Sequence, residues 1–303
     1  MNIQTISILV PTKGCVNNCK FCCSKMHDSP YENHWDEQGI TDRIKYAIMN
    51  GVNTCILTGT GEAMQNIPFL EKLVLTFHRM NYPFPNVELQ TTGVFLQTKD
   101  HMPNSTHIRE TYPYVHLLHR LGVKTISLSV SSIFSDELNC SIIGINKKLQ
   151  FKLKELVSFL KDNNFNVRLS LNMLKEYDNY DVKQIFQKCQ ELGANQVTFR
   201  KMYSGETNTE ETLYVTNNKC SEETFRKIIE YVEGSADKYY LNSEGVFLYS
   251  LPFGGNVYAI NGMSVVIDND CMSKQKNDAL KYIILRENGK LYCKWDNEGS
   301  LIF

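Results

Sequence analysis

The 303-residue chain carries 32 Lys+Arg against 33 Asp+Glu, with 42% hydrophobic and 21% charged residues. It has enough apolar material for one large α/β domain or two smaller ones, and no run of five like charges, so nothing electrostatic argues for nucleic acid or an anionic membrane as partner. The apolar core of the N-terminal segment is five residues long with no basic residue before it, and no segment is apolar enough to span a bilayer; a cytoplasmic protein with no membrane partner is expected.

In chain order, β-branched apolar runs alternate with stretches whose apolar residues recur every three or four positions. The runs predict strands at 5–11, 53–59, 86–93, 123–132, 166–174 and 195–202, and the periodic stretches predict helices at 41–50, 67–80, 111–122, 147–163 and 180–193. Several of these strands read as near-continuously apolar, as parallel strands covered on both faces do. Six βα units imply a parallel sheet with right-handed crossovers, either curled as a partial barrel or open and doubly wound, and both place ligands at the C-terminal strand ends. The texture then changes. Residues 1–204 are expected to form the core, and 205–303 a small mixed α+β extension beside it, covering the substrate side: a polar connector, a helix in "CSEETFRKIIEYVEG", and short β segments punctuated by "PFGGN", "INGM" and "RENGK".

Of ten cysteines, Cys15, Cys19, Cys22 and Cys23 fall within nine residues directly after the first strand. Their neighbours Lys13, Gly14, Asn17, Asn18 and Lys20 belong to a loop rather than a core. A disulfide scaffold would be short and evenly studded. A structural zinc site needs a second ligand pair; Cys19 and Cys22 supply one, and only His27 or His34 stand near. Three thiolates on a short loop can instead ligate three corners of a 4Fe–4S cube, leaving one iron open.

Cys15-x3-Cys19-x2-Cys22 after the first strand of a βα series resembles the cluster motif of the radical S-adenosylmethionine (SAM) superfamily. The resemblance implies a partial (β/α)6 barrel, one 4Fe–4S cluster on Cys15, Cys19 and Cys22, and SAM as the ligand of the open iron. Phe21 matches the aromatic position near the adenine, and Cys23 is not a ligand. "LTGTGEAMQN" is similar to the family's Gly-Gly-Glu-Pro stretch, so Thr58, Gly59, Thr60, Gly61 and Glu62 are expected to hold the amino end of SAM; Thr60 stands where that stretch has its first Gly, and Ala63 where it has Pro. The physics agrees, since an ammonium needs acceptors and glycines allow close backbone approach. "LQTTGV" is similar to a Gln-Thr-Asn-Gly segment, with Thr92 in place of the Asn. Ser129 and Asn172, at later strand ends, are candidates for the ribose and carboxylate of SAM. Arg200 and Lys201 end the sixth strand, and one of them is expected to point into the barrel mouth, Arg200 being the candidate for SAM.

By the same resemblance an electron from a flavodoxin or ferredoxin drives reductive cleavage of SAM to methionine and a 5′-deoxyadenosyl radical, which takes hydrogen from a modest-sized polar small-molecule substrate. Radical SAM modification of a peptide or RNA and glycyl-radical activation stand as alternatives within the superfamily. A non-catalytic iron–sulfur electron-transfer protein is the alternative outside it. Cys271 and Cys293, in the extension, are too few for an auxiliary cluster, and the tail aromatics Tyr239, Tyr240, Phe247, Tyr249, Phe253 and Tyr258 suit β packing.

Overall fold

A computed structural model describes residues 3–26, 31–99, 112–205, 207–234, 243–251, 255–268, 280–295 and 297–303. Six parallel strands form its centre: β1 (Ile3–Leu9), β2 (Thr54–Thr58), β3 (Asn86–Thr91), β4 (Val123–Val130), β5 (Asn166–Asn172) and β6 (Gln196–Arg200). They lie side by side in sequence order. Between and after them run α1 (Cys23–Met26), α2 (Glu37–Met49), α3 (Ile67–Arg79), α4 (Pro113–Arg120), α5 (Asp136–Ile143), α6 (Leu153–Asp162), α7 (Val182–Leu192), α8 (Glu210–Asn218) and α9 (Glu222–Glu233). The fold is an α/β partial barrel. It does not close, because β1 and β6 each pair with a strand from the C-terminal third instead of with each other.

Those strands are β7 (Val246–Ser250), β8 (Asn256–Ile260), β9 (Met263–Asp268), β10 (Leu280–Leu285) and β11 (Leu291–Tyr292). β9 runs parallel to β6, with Arg200 opposite Asp268, and continues antiparallel through β8 to β7. On the other flank β10 runs parallel to β1 and turns back as β11. One 11-stranded sheet therefore runs through the expected boundary at residue 204, extended at both edges by the segment that follows.

The expectation of strands apolar on both faces is corrected. Val167, Leu169 and Leu171 of β5 are fully buried in the core that the helices share, whereas Arg168, Ser170 and Asn172 face the concave side. Arg168 shows it: its guanidinium reaches Glu88 of β3 at 2.6 Å and Gln196 of β6 at 2.9 Å, and a side chain on β5 can pass over β4 to β3 only across the concavity. The interior is thus polar along β3 to β6, whereas β1 and β2 bring Leu9 and Ile56 to the same face. The apolar core lies between sheet and helices.

Local sequence sets the helix ends. α7 opens with a reciprocal capping box between Asp181 and Gln184 and stops at Gly193 in the left-handed region. Asn66 caps α3 ahead of a proline in its first turn. Three helices lie where none is expected from sequence: the single turn α1, α5, capped by Ser135, and α8, capped by Thr209 inside the supposed polar connector. No described helix is long and apolar enough to cross a membrane.

Candidate active site

The β1–α1 loop holds the three motif cysteines at the C-terminal mouth of the barrel. Its backbone is tied on one side to α5, through Asn18 N–H to the Gly144 carbonyl (3.3 Å) and Lys20 N–H to that of Ile142 (3.0 Å). On the other side the Val16 N–H donates to Gln65 Oε1 at 2.6 Å, and Asn66 Nδ2 donates to the Pro11 carbonyl at 2.7 Å. Gly144 has φ +68°, and a Cβ there would stand 2.5 Å from the Asn18 carbonyl oxygen, so the end of α5 and the cysteine loop touch backbone to backbone. α8 packs along α1: Thr207 Oγ1 donates to the Met26 carbonyl (2.9 Å), Lys25 pairs with Glu211 (3.4 Å), and Lys20 Nζ lies 5.8 Å from the centre of the Tyr214 ring.

Cys15, Cys19 and Cys22 line one cavity, together with Phe21, Gly59, Thr60, Gly61, Glu62, Thr92, Ser129, Asn172, Arg200 and Lys201. The structure thus brings together every expected site residue except Thr58. That residue does not line the cavity; it is a ladder position, its carbonyl taking the Val10 N–H at 2.7 Å. Both Arg200 and Lys201 reach the mouth, where one was expected, and Lys201 also pairs with Glu222 at 2.8 Å.

Glu62 organises the β2 loop. Only 3% exposed, its carboxylate accepts from Thr91 Oγ1 (2.6 Å), the Thr92 N–H (2.9 Å) and Thr92 Oγ1 (2.8 Å). Thr92 Oγ1 in turn accepts from Asn17 Nδ2 at 2.8 Å. A hydroxyl that accepts and donates at once links the cysteine loop, the end of β3 and the β2 loop, which accounts for Thr92 at this position. Gly59 and Gly61 are needed for close approach: a Cβ at Gly59 would meet the Val10 carbonyl oxygen at 2.7 Å, and one at Gly61 the Gly14 carbonyl oxygen at 2.8 Å. Ala63 opens a 3-10 turn capped by Glu62, a first-turn position that suits Pro and Ala alike. Deeper in the mouth, Asn172 Nδ2 donates to Ser129 Oγ at 3.1 Å and reaches Ser131 Oγ at 3.4 Å.

The donor set fits a polynuclear cluster. Every described cysteine is free. Burial pushes the Cys19 thiol well up, with the nearby Cys22 and Cys15 adding to it, and Cys15 is raised by burial and by the Glu62 charge. Such thiols give up their protons only to a strong positive centre. Among the described residues no three His, Cys, Asp or Glu side chains converge as ligands of one ion, whereas the thiolates of a four-iron cube bind separate irons and stand apart. Asn17 Oδ1 and Thr12 Oγ1 beside the loop are buried without a hydrogen-bond partner, and Asn17 lines the cavity; such polar atoms suit a site built to receive a polar ligand.

Other candidates stand elsewhere. His27, Cys271, Tyr239, Tyr240 and Phe253 lie outside the described residues. His34 meets the C-terminal hairpin through its backbone N–H, which donates to the Glu287 carbonyl (2.9 Å), and Cys293 N–H bonds the Ser300 carbonyl (3.0 Å). Tyr258 is buried, and its ring meets that of its β7 partner Phe247 edge-on at 5.9 Å, as expected for β packing, although Phe247 and Tyr249 are more than half exposed. Sequence reasoning missed Asn17, Gln65 and Asn66 as organisers of the loop; the Asn-x-Pro helix start at Asn66 was the available signal.

The family model of the radical SAM superfamily matches residues 9–213, more than half of the chain. With the cysteine loop at the mouth of a six-stranded partial barrel, the protein belongs to the radical SAM superfamily, whose members bind SAM and catalyse radical reactions. No curated protein matches the sequence. Among solved structures it is similar to Streptococcus suis SuiB bound to precursor peptide SuiA, at 14% identity and TM-score 0.52, over 96% of this chain and 59% of that one. It is also similar to anSMEcpe with bound AdoMet and Kp18Cys peptide (14%, TM-score 0.51, 75% and 58%) and to HydG, a maturase of the FeFe-hydrogenase (13%, TM-score 0.50, 75% and 48%). The likeness is one of fold, and this chain spans less than two thirds of each of these chains.

Proposed function

We propose that the protein cleaves SAM reductively and uses the resulting radical on a modest-sized polar small molecule held in the barrel mouth. A 4Fe–4S cluster on Cys15, Cys19 and Cys22 supplies, when bound, the electron that breaks the sulfonium C–S bond to give methionine and a 5′-deoxyadenosyl radical, which removes a substrate hydrogen. The chain's own work is placement. Gly59 and Gly61 let the β2 loop backbone approach, and Glu62, held by Thr91 and Thr92, sets its negative charge beside the amino end of SAM. Ser129 and Asn172 present hydroxyl and amide groups for the ribose and carboxylate, Phe21 a face for the adenine, and Arg200 and Lys201 positive charge for a carboxylate of SAM or substrate. Residues after β6, beginning with Met202 and Tyr203 at the cavity wall, cover the substrate side and exclude water. A flavodoxin- or ferredoxin-like donor meets the exposed cysteine loop, and the protein works in the cytoplasm.

The observation that supports this reading most is the gathering of the three cysteines and the Gly59–Glu62 loop on one cavity. The test is anaerobic: reconstitute with iron and sulfide, reduce with dithionite, add SAM, and assay 5′-deoxyadenosine against a variant with all three cysteines changed to Ala. Product from the native chain alone supports the reading. A cluster that forms without any SAM turnover moves the electron-transfer alternative to the front.

A peptide substrate is the second reading, favoured by β7. Among the described residues this strand ends the sheet on its side, exposes all five side chains of Val246–Ser250 and has no partner on its outer edge, to which an extended peptide can add as a further strand.

A further inference from the structure

Thr60 is the one residue with a side chain between two glycines that have no room for one. Its hydroxyl donates to Glu287 Oε1 at 2.7 Å, across 227 residues of sequence. Glu287 lies on the turn between β10 and β11 and is 8% exposed. Burial raises its carboxyl group, and the hydrogen bond from the Thr60 hydroxyl draws it back down. An acid so buried is costly unless a donor meets it, and this donor comes from the β2 loop of the SAM cradle.

The turn that carries Glu287 is itself fixed. The His34 N–H donates to the Glu287 carbonyl at 2.9 Å. Arg286 Nη2 donates to the carbonyls of Lys294 and Trp295 at 2.9 and 2.8 Å. Gly289 faces His34, where a Cβ would meet Cδ2 at 3.2 Å. The carboxylate is therefore held from the C-terminal side and grips the β2 loop rather than following it.

We propose that Glu287 is a positioning residue of the SAM site: by holding the Thr60 hydroxyl it fixes Thr60 between Gly59 and Gly61, so that the β2 loop is set in place to receive the amino end of SAM. This makes the C-terminal hairpin part of the cofactor site, and it rests on the assignment of Gly59–Glu62 to the amino end of SAM. Thr at position 60 is then explained as the handle that Gly could not supply.

The test measures SAM binding by equilibrium dialysis on the full-length reconstituted chain, alongside iron content and thermal midpoint. E287L and T60V are each expected to weaken SAM binding about tenfold with iron content unchanged, T60S to stay within about twofold, and T60V/E287L to be no weaker than either single variant, because both cut one link. Native affinity in E287L, or additive losses in the double variant, overturns the proposal while leaving the SAM site standing. Parallel losses of affinity, iron and thermal midpoint also overturn it, as the mark of a purely structural contact. If E287L does not fold, T60V against T60S decides. A native chain that binds no SAM removes the underlying reading together with the proposal.

Discussion

The floor and the mouth of the barrel are built from the same concave faces of the same strands, yet their polar residues are arranged for different ends. At the floor Arg168 spans β4 to join Glu88, and also takes Gln196; the charges meet one another. At the mouth the cysteines, Ser129, Asn172, Arg200 and Lys201 ring a cavity, with Asn17 Oδ1 left without a partner. Burial alone does not separate structural from functional polar groups. What separates them is that the floor's opposite charges are paired with each other, although Glu88 Oε1 also lacks a hydrogen-bond partner, whereas the mouth's polar groups surround a cavity; Glu62 is the instructive intermediate, a mouth residue whose bonds hold other mouth residues.

If that contrast is right, the two regions respond to substitution in opposite currencies. The largest effect belongs to the mouth: C19A abolishes cluster assembly and SAM turnover while the thermal midpoint stays within a few degrees, measured by iron and sulfide content and by circular dichroism, because this half-buried loop thiol touches only the small Val94–Cys140–Ile143–Ile145 cluster and not the main core. At the floor, R168M strands the Glu88 carboxylate, 7% exposed, and should cost about 3–5 kcal/mol in urea unfolding, with E88Q/R168M recovering much of it. Iron content per folded molecule should not change. A floor variant that lost its cluster at native stability would break the comparison.

G144A sharpens it at the seam. With φ +68° and a Cβ directed onto the Asn18 backbone, it should destabilise by about 1–3 kcal/mol, and lower iron content as well, since the cysteine loop must shift. The smallest effect is a pH dependence. Burial raises Glu176, against which the hydrogen bond from Ser132 acts, so the folded protein holds this proton more tightly than the unfolded chain. Its contribution is full below the unfolded carboxylate pKa and is lost as pH rises through the higher folded value. E176Q should flatten that decline in denaturation curves across the carboxylate range; an unchanged slope would show that Glu176 is not its source.

Much of this was legible in sequence wherever the information is local. The six βα units follow from periodicity and end signals such as Gly193, and the three cysteines from spacing after a strand. α5 and α8 escaped because each is short: Asp136–Ile143 has eight residues, too few to distinguish a helical period, and Glu210–Asn218 buries little beyond Thr212 and Val215. The concave polar face was misread because alternation in "NVRLSLN" passes for continuous apolarity when serines count as neutral. Nothing local could place β10 beside β1 or Glu287 against Thr60, since pairings hundreds of residues apart leave no periodic trace.

The central claim is that Cys15, Cys19 and Cys22 hold a cluster with one iron left for SAM. It is tested most directly by the EPR spectrum of the dithionite-reduced, reconstituted protein before and after SAM is added. The account predicts a 4Fe–4S signal whose g values shift on SAM addition and which is absent from the triple Ala variant. A 4Fe–4S signal indifferent to SAM would contradict it.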